Sequence, residues 1–252
     1  MERLMKRVVV RRRPHGPRSL PRRAIDILVA LAGLVILAPL MLLIALAVRL
    51  ETPGPALFSQ IRIGREGRHF VLYKFRKFHC RTQAGDRPLT LRDDPRFTRL
   101  GRVLERTKLD ELPQLWNVLR GDMSLVGPRP ETLDFADCFQ GPYRAVLDHT
   151  PGIFGPSQVA CRHEATLYPE GCDPREFYRA FLFPMKARLD LAYYARRTVL
   201  SDLAWAWRGI WSVFSLSSMP GEAGDRFAAL EDWVVGHGTR RGRADPAASL
   251  RR

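Results

Sequence analysis

Acidic residues are in short supply: 26 Asp and Glu stand against 41 Lys and Arg, leaving a formal charge of +15. That imbalance asks for an anionic partner, whether nucleic acid, an anionic membrane or a phosphorylated substrate. Cysteine is scarce too. Cys80, Cys138, Cys161 and Cys172 form no CxxC and no ligand-like cluster with the six histidines, which argues against structural zinc. A disulfide framework is not needed at 252 residues, so these read as reduced thiols of a cytoplasmic domain. Aromatic rings are missing from the most basic stretch, residues 1–23, which carries nine Lys/Arg, one acid and several prolines. A flexible arm without rings to stack on bases suits anionic lipid headgroups better than nucleic acid.

Long apolar runs are lacking except at residues 27–48, which are 22 residues without a charge. At 1.5 Å per residue they make about 33 Å of helix, just enough to cross the hydrocarbon core. The run is too long for the apolar region of a cleaved signal peptide. Pro39 divides it into 12 and 9 residues, each too short to cross alone. A spanning helix would also place one of two basic flanks outside, against the positive-inside tendency. A helix broken at Pro39 returns both flanks to one side; a kinked spanning helix is the alternative.

Beyond the Pro53-Gly54-Pro55 exit, the runs Leu57–Ile63 and His69–Phe75 flank a Gly-containing link and read as a β-hairpin. Lys74 and Arg76 share one strand face, either reaching phosphate oxygens or simply solvated. Val199–Phe214 has apolar residues on one helical face, with three tryptophans in seven residues. It suits either a buried core helix or one lying among lipid headgroups. Residues 217–252 read as a polar, basic, disordered tail.

The chain is organised around residues 107–130, TKLDELPQLWNVLRGDMSLVGPRP. Adjacent acids, Asp110 and Glu111, precede Pro113 and an apolar helical pattern that Gly121 is placed to stop. Either Pro113 occupies the first turn, or Thr107 and Asp110 form a capping box farther back. Neighbouring residues on a helix point about 100° apart, so two adjacent acids suit different jobs. One can attack while the other serves a divalent cation. An isolated acid pair usually just decorates a helix start. Here it is followed by Asp122 and by Arg129, held between Pro128 and Pro130.

The segments Leu109-Asp110-Glu111-Leu112-Pro113-Gln114-Leu115, Asn117-Val118-Leu119 and Gly121 through Pro130 closely resemble the bacterial sugar transferases, the monotopic polyprenyl-phosphate phosphoglycosyl transferases. The resemblance takes in Asp26, the hairpin and residues 186–203, where Asp190 is a further candidate acid or, alternatively, a helix-surface partner of Lys186. Residues 163–184 have no counterpart there.

The resemblance implies an α+β, mainly helical, monotopic membrane protein. Its parts would be the arm 1–23, a re-entrant helix-break-helix at 24–50, a catalytic domain at 51–216 with interfacial amphipathic helices, and the tail. It implies transfer of a phosphosugar from a nucleotide diphosphate sugar, UDP-linked in the family, to polyprenyl phosphate at the cytoplasmic face of the inner membrane. Asp110 would be the nucleophile, and Glu111, with Asp110, would hold Mg²⁺. Lys74, Arg76 and Arg129 would bind phosphate, with Asp122, Pro128, Pro130 and Asp190 nearby. Such a step initiates exopolysaccharide or lipopolysaccharide assembly, and a homodimer is compatible with it.

Overall fold

The computed structural model describes residues 19–80, 89–91, 94–162, 164–169 and 171–214. The basic arm is therefore seen only from Ser19 onward, and the tail expected at 217–252 lies outside the described residues.

The apolar run forms one helix, α1 (Leu20–Glu51), which starts inside the expected arm because Pro21 fits a first turn, where its missing N–H is not needed. It also continues through Pro39, where two elements had been expected. A proline deletes one backbone hydrogen bond and crowds the preceding turn, which kinks a helix without having to end it. Leu28, Val35, Ile36, Leu42 and Leu43 are exposed along it, far more bare apolar surface than a helix in water carries.

Both ends of α1 are tied down. Near its start, Arg23 donates to the carbonyls of Val118 (2.6 Å) and Leu119 (2.7 Å), and Asp26 accepts from Leu125 N–H (2.9 Å). Ala30 lies in an apolar core with Leu72, Val118, Met123, Leu125 and Val126. At its other end, Ile44 and Val48 share a second core with Phe75 and Leu104, and Glu51 accepts from Leu100 N–H (2.9 Å).

The hairpin forms with the expected bounds. Strands β1 (Leu57–Ile63) and β2 (His69–Phe75) pair antiparallel, Leu57 facing Phe75 and Ile63 facing His69. Helix α2 (Arg99–Thr107) follows, then a single 3₁₀ turn at Leu109–Glu111, then α3 (Gln114–Arg120). Gly121 ends α3 at φ +88°. Neither reading of Pro113 holds in full, because it sits just before α3. The capping box is absent, since Lys108 turns left-handed (φ +57°) to close α2 and the Thr107 hydroxyl bonds back to Val103 O (2.8 Å).

A second, two-stranded parallel sheet was not foreseen: β3 (Ser124–Val126) beside β4 (Gly152–Phe154). Strands of three residues are too short to show alternation. Their close approach depends on glycine, since a Cβ on Gly127 would lie 2.2 Å from Thr150 O. The rest is helical: α4 (Pro156–Ala160), α5 (Pro174–Phe177) running through a π-type turn into α6 (Phe183–Tyr194), and α7 (Val199–Phe214). The fold is thus mainly helical with small sheets and one long apolar helix.

Candidate active site

The 3₁₀ turn, β2 and the loop after β3 bring four charged side chains together. Asn117, fully buried in α3, fixes the frame: its side chain accepts from Tyr73 N–H (3.1 Å) and donates to Val71 O (2.7 Å). That locks α3 against β2 and presents Lys74 to the acid turn. Lys74 Nζ donates to Glu111 Oε1 (2.7 Å) and lies 4.0 Å from Asp110 Oδ2. Arg129 Nη2 lies 3.6 Å from Glu111 Oε1.

Arg129 is aimed by its neighbours' backbone. Pro128 O accepts from Gly152 N–H (2.9 Å), Pro130 O accepts from Arg62 Nη1 (3.1 Å), and Glu131 O accepts from Ile63 N–H (2.9 Å). The two prolines act through the carbonyls they place, and Arg129 is the most exposed member of the cluster.

The two acids live in opposite environments. Asp110 is fully buried and neither carboxylate oxygen has a hydrogen-bond partner. Burial raises its pKa, against the pull of Lys74 and Lys77. Glu111 also pays desolvation, yet Lys74 and Arg129 hold it well below the usual carboxylate range. Burial depresses Lys74 despite the acids beside it, whereas Arg129 is held firmly charged by Glu111, Glu164 and Glu131.

The remaining sequence candidates lie apart from this cluster. Arg76 is buried at the end of α1, where its guanidinium donates to the carbonyls of Val48, Thr52, Pro53 and Pro55. It lies one residue past β2, and the face it was expected to share with Lys74 does not bring it to the acids, because these carbonyls take its donors. Asp122 lies past the far end of α3, 3.4 Å from Arg120 Nε and from Asn117 Nδ2. Asp190 is buried in α6 rather than on a helix surface. It accepts from Ser157 N–H (3.2 Å) and Oγ (2.9 Å), and burial lifts its pKa to about 7.

Lys186 pairs elsewhere, with Glu164 (3.0 Å), Glu131 (3.5 Å) and the Tyr178 hydroxyl (2.9 Å). This buried network behind Arg129 was missed by sequence reasoning. Its two visible signals were Lys186, read only as a partner for Asp190, and Glu131, directly after the Pro-Arg-Pro unit. Glu164 and Tyr178 come from the segment without a counterpart.

Among the described residues no three His, Cys, Asp or Glu side chains gather as a metal site. Mg²⁺ needs fewer: one or two carboxylates together with substrate phosphates. The unpartnered oxygens of Asp110 beside the Glu111 carboxylate are hard donors that fit it.

Residues 17–216 match the sequence profile described as bacterial sugar transferase. The chain is 46% identical over 155 residues to the UDP-glucose:undecaprenyl-phosphate glucose-1-phosphate transferase of Caulobacter vibrioides, covering 58% of each chain. It is 42% identical over 143 residues to the UDP-N-acetylgalactosamine-undecaprenyl-phosphate N-acetylgalactosaminephosphotransferase of Aeromonas hydrophila (55% of this chain, 33% of the relative). A UDP-glucose:undecaprenyl-phosphate glucose-1-phosphate transferase of Escherichia coli is 40% identical over 149 residues (57% and 32%). The chain thus spans about a third to three-fifths of the length of these relatives.

Proposed function

Because the chain belongs to the bacterial sugar transferase family, we propose that it moves a phosphosugar from a nucleotide diphosphate sugar, UDP-linked as in the relatives' names, to an undecaprenyl-type polyprenyl phosphate. The observation that carries this reading is the division between neighbouring acids. A carboxylate that is poorly solvated and accepts no hydrogen bond is the more basic and more nucleophilic of two. Asp110 answers that description, and Glu111, neutralised by two cations, does not.

In the first step an Asp110 oxygen attacks the sugar-bearing phosphorus. The bond to the nucleotide phosphate breaks, the nucleoside monophosphate leaves with the electron pair, and an aspartyl-phosphosugar acyl phosphate remains. In the second step an oxygen of the polyprenyl phosphate attacks the same phosphorus and the Asp110 carboxylate departs. Lys74 and Arg129 hold the phosphate oxygens and balance their charge. Arg76, bound to four carbonyls, is left out of that role. Glu111, with Asp110, would hold Mg²⁺, which when bound screens the phosphate charge that repels a carboxylate nucleophile.

A lipid acceptor requires a seat at the membrane, and the cytoplasmic face of the inner membrane is the place where both substrates meet. A re-entrant course of α1 is supported by its ties: Ala30 and Val48 would be about 27 Å apart on a straight helix. Ala30 nevertheless shares a core with Leu72, and Val48 shares one with Phe75, only three residues farther along β2.

Asp110→Asn should abolish nucleoside monophosphate release and the mass increment that donor alone leaves on the wild-type protein. Turnover by this variant above a hundredth of wild type would remove Asp110 as the nucleophile.

A further inference from the structure

A cavity of about 200 Å³ opens at the start of α1, away from the acid pair. Its wall includes Arg22 and Arg23 of α1, Arg65 of the hairpin link, and Arg197 between α6 and α7. Arg23 reaches the carbonyls at the C-terminal end of α3, whereas Asp110 and Glu111 precede its N-terminal end. Seven residues of helix, about 10 Å, therefore separate the two places, and the cavity shares no lining residue with the cluster of Lys74, Asp110, Glu111 and Arg129.

Its electrostatics favour an anion. Four guanidiniums meet Asp26 and Asp148 in the wall and Asp202 behind it, while Glu66, 3.9 Å from Arg65 Nε, is shared with Arg68 (2.9 Å). Arg22 and Arg197 share Asp202, while Arg23 is spent on neutral carbonyls and keeps its charge. The α1 N-terminus adds a partial positive charge: Ser19 makes no side-chain cap and the first turn has no acid. His149, also in the wall, has its pKa lowered to about 4, chiefly by burial and then by Arg197, with Asp148 opposing and Arg65 adding a smaller push.

We propose that this cavity holds the phosphodiester headgroup of an anionic membrane phospholipid, at a site separate from the transfer reaction. The volume falls below the 300–1,000 Å³ usual for enclosing a whole small molecule, which suits a headgroup better than a nucleotide sugar. The position agrees as well, since the uncharged run of α1 begins at Ile27, one residue after Asp26. This inference rests on the membrane seat proposed above.

The test uses the full chain in nanodiscs of phosphatidylcholine alone or with phosphatidylglycerol, following thermal unfolding and nucleoside monophosphate release. Phosphatidylglycerol should raise the wild-type Tm by several degrees. Arg65→Gln, and Ser19→Asp, which supplies its own anion at a helix cap, should lose most of that rise. Arg102→Gln, the same charge change at an exposed position outside the cavity, should keep it. Nucleoside monophosphate release in phosphatidylcholine should be unchanged in all three variants. An equal rise in every variant would overturn the proposal, as would an equal rise produced by inorganic phosphate or UMP. Loss of release in Arg65→Gln would instead assign the cavity to the donor. A wild-type protein that fails to float with liposomes of any composition would sink the membrane seat itself, an outcome distinct from these.

Discussion

Asp110 and Glu111 are neighbours in sequence with opposite surroundings, and single substitutions separate their roles. Glu111→Gln removes the counter-charge of Lys74 and Arg129, leaving two cations facing a weaker acceptor. Its kcat should fall by about 100- to 1,000-fold, the size of effect seen when one well-placed electrostatic contact is lost. A magnesium titration should show a raised requirement, and an unchanged one would count against a metal role for this side chain. Asp190 offers a readout of stability. Its carboxyl is lifted by burial from an ordinary 3.8 to about 7, so the folded chain keeps a proton that the unfolded chain has already released. The contribution of this one group to stability is therefore greatest below about pH 4 and declines as pH rises towards 7, by on the order of 2–4 kcal/mol. Asp190→Asn, neutral throughout, should flatten that decline in unfolding experiments at pH 5 and pH 8.

Helix α7 shows how far patterning carries and where it stops. Its existence and bounds follow from the spacing of Leu200, Leu203, Trp207, Ile210 and Trp211. Yet that stripe faces away from the core: Trp207 is 64% and Trp211 61% exposed. The helix packs instead through Trp205, and a Cβ on Gly209 would come 2.2 Å from the Phe154 ring. Periodicity identifies an apolar face but not what covers it. Brominated lipids should quench wild-type tryptophan fluorescence, and Trp207→Phe with Trp211→Phe should remove most of that quenching. Equal quenching in the double variant would return this face to an aqueous setting. The hairpin was legible because alternation and the intervening glycines act locally. The β3–β4 sheet and the Lys186 network were not, because their partners are brought together only by tertiary folding. For the same reason Lys74 and Arg76, alike as basic residues two apart, part company: one meets Glu111, the other the carbonyls at the end of α1.

Across the whole molecule, both ends of α1 are held by the same unit, which predicts that they lie on one side of the bilayer. With the native cysteines replaced by serine, Leu20→Cys and Leu50→Cys, both at exposed positions, should resist an impermeant maleimide in intact cells. Both should react after lysis, and labelling of only one in intact cells would end the re-entrant reading. The ties of α1 also bear on how the protein can be handled. Cutting the chain after Glu51 to obtain a water-soluble enzyme would strip the acceptor from Leu125 N–H, the guanidinium from the C-terminal carbonyls of α3 and a core alanine from beside Val118. The apolar helix is thus part of the fold's own core, and a fragment freed of it should emerge as an unfolding remnant instead of a soluble catalyst.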